Sequence, residues 1–100
     1  MVGVADLTVD QGLLAVICER YGIARLMVFG SVARGTAKST SDLDILYELL
    51  PDRRLGWEIE DLSDELSALF GRRVDLVSRA ALHRRLRSAV LTEAELLYAA

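Results

Sequence analysis

Three apolar segments of strand length constrain most strongly what this chain can fold into. They are residues 25–29, which Gly30 closes, residues 43–49, and residues 73–78, where β-branched side chains surround one acid. Short apolar runs bounded by glycine, proline and polar residues are typical of buried β-strands. The sequence therefore predicts one sheet built from these segments.

Helical segments separate and flank these strands. Thr8, with Gln11 three residues later, predicts a capping box at the start of a first helix, and Gly22 predicts its end. Apolar residues recur at spacings of three and four over 55–70, which predicts an amphipathic second helix. We expect Trp57 to anchor this second helix on the sheet.

The last part of the chain predicts a third helix, from Ala80 to about Glu95. A short tail that contains Leu97 and Tyr98 is expected to dock on the sheet. This order of elements is typical of an α/β (α+β) fold, a small mixed sheet with helices packed against it. We expect residues 1–100 to form one such domain.

The composition excludes several classes of protein. Apolar residues make up 52% of the chain and charged residues 27%, as in a globular rather than a disordered protein. No apolar run approaches the roughly 20 residues that a membrane span needs, and the N-terminus lacks the basic start of a signal peptide. The single cysteine, Cys18, excludes an internal disulfide and a multi-cysteine zinc site. We expect Cys18 to be a buried apolar residue in a cytoplasmic protein.

The net charge argues against non-specific binding of nucleic acid, although one basic segment could face an acidic partner, phosphates or an RNA. The net charge is −3, whereas non-specific nucleic-acid binding needs a basic footprint. Residues 71–90 nevertheless carry six arginines against Asp75 alone. This basic segment and the 55–70 helix are candidate docking surfaces, and a solvated helix face is the alternative for each arginine.

Gly30 and Ser31 form a candidate anion site. A predicted strand ends at Gly30, and a short helical turn over 31–34 follows it. Such a turn directs backbone N–H groups and the serine hydroxyl toward one point, where phosphate can bind. Taken alone the pair is a weak signal, because Gly-Ser after a strand is commonly only a turn.

Asp42 and Asp44 form a candidate metal site. Because they are two residues apart in a strand, they project from one face, while Leu43 and Ile45 project from the other. Two neighbouring carboxylates repel each other unless a divalent cation lies between them. A solvated strand face is the alternative explanation.

Asp75 is a third candidate ligand, within the predicted strand at 73–78. An acid among apolar strand residues needs a partner. Arg72, Arg73 or Arg79 could supply a salt bridge. If its strand instead lies beside that of Asp42 and Asp44, the three carboxylates suit two magnesium ions about 3.5–4 Å apart in phosphoryl transfer.

Taken together, these motifs resemble the signature of the DNA polymerase β-type nucleotidyltransferase superfamily. The matching residues are Gly-Ser-Val-Ala-Arg-Gly at 30–35 and Ser-Asp-Leu-Asp-Ile at 41–45. With Gly-Arg-Arg-Val-Asp-Leu-Val at 71–77, they are similar to the MNT (minimal nucleotidyltransferase) proteins, which act as antitoxins of helical HEPN toxins. The resemblance covers nearly the whole chain and implies a polymerase β-like nucleotidyltransferase fold.

The resemblance also implies a role for each motif residue. The expected magnesium ligands and catalytic residues are the acids Asp42, Asp44 and Asp75. The expected nucleotide-binding residues are Gly30, Ser31 and Arg34. With two Mg²⁺ ions and ATP, the implied reaction transfers AMP to a hydroxyl, expected to be a tyrosine, of a partner HEPN toxin.

Three other functions remain open or are excluded by the residues. Gly30 and Gly35 begin like a P-loop, but Thr36 stands where a P-loop has lysine, which excludes that class. A catalytically silent antitoxin that neutralises its toxin by binding alone remains possible. Transfer to a small molecule would need a further domain for the acceptor, for which 100 residues leave no room.

Overall fold

The computed structural model of the chain describes residues 2–4, 7–30, 42–80, 82, 91–92 and 94–100. Within these ranges lie six strands and two helices. In chain order they are β1 (Val2–Val4), β2 (Leu7–Val9), α1 (Gln11–Tyr21), β3 (Ile23–Phe29), β4 (Leu43–Leu49), α2 (Glu58–Phe70), β5 (Val74–Ser78) and β6 (Glu95–Ala99).

Four of the strands form a mixed sheet in the order β5-β4-β3-β6. The β3–β4 and β3–β6 pairs are antiparallel, and the β4–β5 pair is parallel. Strands β1 and β2 form a separate antiparallel pair. The small mixed sheet predicted from the sequence is therefore confirmed.

The core lies between one face of the sheet and the two helices. Its fully buried side chains come from α1, β3, β4 and α2, and they are Leu14, Cys18, Ile23, Leu26, Val28, Leu43, Ile45, Leu62 and Leu66. Burial, together with the smaller effect of the nearby Glu19 charge, raises the pKa of the Cys18 thiol to about 12. The expectation that Cys18 is a buried core residue is confirmed.

The start of α1 differs from the prediction. Thr8 lies in β2, where it pairs with Gly3, and Asp10 is the N-cap residue. The Asp10 carboxylate accepts hydrogen bonds from Gly12 N (2.8 Å) and Leu13 N (3.2 Å). The predicted capping box was wrong because a better cap, a short carboxylate, stands immediately before the helix. The predicted end at Gly22 is confirmed by its left-handed backbone (φ 70°).

The start of α2 also differs from the prediction. The helix begins at Glu58 instead of residue 55, and Trp57 at its start is 93% exposed. Trp57 lies five residues before the buried Leu62, about 140° around the helix axis. The stripe that packs on the sheet therefore excludes Trp57, and its predicted role as an anchor was wrong.

The C-terminal prediction is corrected in part. Residues 95–99 form β6, so the third helix predicted to reach Glu95 does not include that residue. Most of the predicted helix, with Leu86, Ala89 and Val90, lies outside the described residues. The expected docking of the tail is confirmed as strand pairing, with Tyr98 opposite Leu26 and Leu97 buried. In the described part of the chain, neither helix is long and apolar enough to span a membrane.

Replacing Asp10 with alanine tests the observed cap. Asp10→Ala should lower the free energy of unfolding by about 1 kcal/mol, because two N–H groups of the first turn lose their acceptor. Asp10→Asn keeps an acceptor and should retain most of the stability. Urea denaturation of both variants measures this, and equal losses would contradict the assignment.

Candidate active site

The parallel pairing of β4 and β5 places Asp44 directly opposite Asp75. Residues opposite each other on adjacent strands project from the same face of the sheet. The neighbours Leu43, Ile45 and Val74 are buried in the core between sheet and helices. The two carboxylates therefore share the opposite face, on strands about 4.8 Å apart.

Asp75 is exposed, which corrects one premise of the sequence interpretation. β5 is an edge strand of the four-stranded sheet, so water reaches a side chain that a central strand would bury. Among the described residues no salt bridge involves Asp75. Arg79 instead forms a salt bridge with Glu48, with 3.8 Å between Arg79 Nη1 and Glu48 Oε1. The salt-bridge alternative for Asp75 therefore finds no support in the described part of the chain.

Asp42 lies immediately before β4 and is exposed. The strand that follows is fixed by the hydrogen bond from Leu43 N to Arg73 O (2.9 Å). Within the described residues, no three Asp, Glu, His or Cys side chains form a group compact enough to hold one metal ion. The structure thus brings Asp44 and Asp75 together, and it leaves Asp42 beside this pair instead of in one cluster with it.

Gly30 ends β3 next to the Asp44 carboxylate. Its φ is +75°, in the left-handed region that L side chains rarely adopt. A Cβ at this position would lie 2.6 Å from Asp44 Oδ2. Glycine therefore serves two purposes here, since it allows the turn and leaves room for the carboxylate.

Two predicted site residues, Ser31 and Arg34, lie outside the described residues. Sequence reasoning missed two others, Ser63 and Ser67 on α2, which hold the edge strand that carries Asp75. The Ser63 hydroxyl donates to Val74 O (3.1 Å), and Val74 N donates to the Ser67 hydroxyl (3.0 Å). Two serines four residues apart on the polar side of an amphipathic helix were the available signal.

The donor set fits a small divalent cation. Carboxylate oxygens are the ligands that Mg²⁺ prefers in phosphate-binding sites, where one or two carboxylates commonly act with the substrate phosphates. Asp44 and Asp75 supply these oxygens from adjacent strands, with Asp42 close by in the chain. Gly30 leaves room beside them for the Asp44 carboxylate.

Comparisons with known proteins give the family. The family described as nucleotidyltransferase domain matches residues 11–97. The chain is 43% identical over 77 residues to the protein adenylyltransferase MntA of Thermococcus cleftensis, which covers 75% of each protein. It also resembles a solved structure described as a minimal nucleotidyltransferase, with a TM-score of 0.72, 45% identity and 87% of each chain covered.

A more distant likeness shows the fold alone. It is to a structure of the tri-AMPylated HEPN toxin of Shewanella oneidensis in complex with MNT antitoxin. The TM-score is 0.63 at 18% identity, with 90% of this chain and 70% of that chain covered. From the family match and the 43% identical relative, the chain belongs to the nucleotidyltransferase domain family, as one of its minimal nucleotidyltransferases.

Proposed function

We propose that this chain transfers AMP from ATP, with Mg²⁺, to a tyrosine hydroxyl of a HEPN-type toxin and thereby acts as its antitoxin. The observation that carries the proposal is the register of β4 and β5, which sets Asp44 opposite Asp75 next to Gly30. The cytoplasm, where ATP and such a toxin would be found, is the proposed location.

The relatives support the choice of nucleotide and partner. The 43% identical Thermococcus protein is a protein adenylyltransferase, so its products carry AMP. The Shewanella complex contains a HEPN toxin that carries three AMP groups together with an MNT antitoxin. The same chemistry in this chain would use the same kind of acceptor.

The proposed mechanism divides the work among the motif residues. Asp44 and Asp75 would hold the magnesium, and Asp42 would join them from its place immediately before β4. The bound ion would supply positive charge to the phosphates and to the developing oxyanion. Gly30 lets the triphosphate approach the backbone, and Ser31 and Arg34 donate hydrogen bonds to phosphate oxygens. An acceptor oxygen then attacks the α-phosphorus, the bond to the β-phosphate oxygen breaks, and pyrophosphate leaves. Asp75, at the open edge, takes the proton of the acceptor hydroxyl.

Removing one charge of the opposed pair should abolish transfer without unfolding the chain. Asp44→Asn and Asp75→Asn should each lower AMP transfer at least about a hundredfold, because the cation loses a charged ligand. Asp52→Asn is the matched control, since Asp52 is exposed beyond the other end of β4. Asparagine also tolerates its positive φ. Activity at the wild-type level in Asp44→Asn, with magnesium and labelled ATP present, would contradict the site.

The intact mass of the partner protein distinguishes the second candidate function, neutralisation by binding alone, from AMP transfer. The assay combines the chain, ATP, magnesium and a purified HEPN-type toxin, the proposed partner. Catalysis predicts that the mass of the partner increases in steps of one AMP. A stable complex whose partner keeps its original mass would favour sequestration and would contradict the proposed transfer.

Adding a methyl group at Gly30 tests the close approach of Asp44. Gly30→Ala places Cβ against Asp44 Oδ2, so we expect AMP transfer to fall at least about tenfold beyond any loss of stability. Gly71→Ala is the matched control, because Gly71 has a similar φ (+67°) and nothing within 4 Å of the added Cβ. Both variants should lose roughly 1–2 kcal/mol of stability from the left-handed backbone. Equal activities of the two, measured as initial rates, would show that the approach at Gly30 is unimportant.

A further inference from the structure

The outer side of β5 presents main-chain groups away from the sheet. In the parallel ladder with β4, Leu43 N donates to Arg73 O (2.9 Å) and Arg79 N donates to Tyr47 O (3.0 Å). Because alternate residues of a strand face alternate neighbours, the residues between them follow from this pattern. Asp75 and its alternate neighbours direct their N–H and C=O groups toward β4.

The main-chain N–H and C=O groups of Val74 and Leu76 therefore point outward, and the two residues differ in the partners of these groups. Both outward groups of Val74 are bonded by Ser63 and Ser67 of α2. Leu76 is the next residue along β5 whose main-chain groups point outward, and no other strand of the described residues pairs with β5 there. Among the described residues, α2 thus satisfies the edge at Val74, and no strand or serine bonds the outward groups of Leu76, immediately after Asp75.

A groove of about 330 Å³ follows this edge. Its walls are the polar side of α2 and the outer side of β5, and its lining includes Ser63, Ser67, Asp75 and Leu76. The groove therefore connects the open main-chain groups of Leu76 with a carboxylate of the candidate active site. An extended polypeptide is the ligand that main-chain donors and acceptors on a strand edge bind best.

The charge of the groove indicates the composition of that polypeptide. Glu60 and Asp64 lie four residues apart on α2, and both are exposed and line the groove. Among the described residues, Arg73 is the one cation of the lining. In the described part of the chain no salt bridge neutralises either acid. Like charges at this spacing destabilise a helix slightly, so a basic ligand would relieve their repulsion.

We propose that the outer edge of β5 binds the acceptor segment of the partner protein as an added β-strand, with basic side chains facing Glu60 and Asp64. The inference rests on the proposed transfer to a protein hydroxyl. The residue that pairs with Leu76 exchanges two hydrogen bonds with it. The next residue then projects from the face that carries Asp75, and it bears the acceptor hydroxyl.

Amide hydrogen exchange, read by NMR for each residue, tests the strand addition directly. In the free chain the amides of Asp75 and Val77 should be protected by β4, and the amide of Leu76 should exchange fast. In a complex with the HEPN-type partner and a non-hydrolysable ATP analogue, exchange at Leu76 should slow at least about tenfold. An amide of Leu76 that is already slow in the free chain, or that stays fast in the complex, would overturn the proposal.

A matched pair of charge reversals tests the groove itself. Asp64→Lys should raise the KM for the partner protein roughly three- to tenfold, with kcat and the KM for ATP little changed. Asp61→Lys makes the same change on a part of α2 outside the groove and should leave all three constants near the wild-type values. Equal effects of the two variants would overturn the role of the groove.

The outcomes separate this inference from the proposed function. AMP transfer to the partner with fast exchange at Leu76 would disprove strand addition and leave the transferase intact. Slow exchange at Leu76 in a complex whose partner gains no AMP would support the docking surface and disprove the transfer. Each result therefore identifies which of the two proposals fails.

Discussion

The parallel ladder between β4 and β5 is the interaction on which the rest of the site depends. It is fixed at one end by the hydrogen bond from Leu43 to Arg73 and along its outer side by the serines of α2. A slip of one residue would turn Asp75 toward the core and bring Val74 or Leu76 opposite Asp44. The packing of Leu43, Ile45 and Val74 against the helices opposes such a slip, so the apolar core specifies the geometry of the polar face.

The position of β5 at the edge of the sheet explains two properties of the chain together. It keeps Asp75 exposed, so that a carboxylate in an otherwise apolar strand needs no internal partner and remains available to a ligand. It also leaves main-chain N–H and C=O groups of β5 without a neighbouring strand among the described residues. An unprotected edge of this kind can pair with any other strand. α2 covers part of this edge with Ser63 and Ser67, and the uncovered part lies beside the candidate catalytic carboxylate.

Local patterns in the sequence predicted much of this arrangement. The bounds of β4, the end of α1 at Gly22 and the closure of β3 by Gly30 follow from apolar runs and from glycines whose φ is positive. The pairing of Asp44 with Asp75 could only be hypothesised, because register depends on contacts between residues distant in the chain. Glu95 was assigned to a helix end, and the tail with Leu97 and Tyr98 was not predicted to be a strand, because Glu-Leu-Leu-Tyr-Ala has no strict alternation. Thr8 was misassigned because it pairs with Gly3 of another strand, and Trp57 because its angular position on α2 turns it away from the sheet. The roles of Ser31 and Arg34 remain predictions.

The measurement that tests the central claim most directly is paramagnetic broadening by Mn²⁺, which binds where Mg²⁺ would. Trace Mn²⁺ is added to the labelled chain with ATP, and the loss of each backbone amide signal is followed by NMR. The account predicts that the signals of Gly30, Asp44 and Asp75 disappear first, while those of Asp52 and Asp61 persist. Broadening centred on any other group of residues, under conditions in which AMP is transferred, would contradict the assignment of the Asp44–Asp75 pair as the metal site.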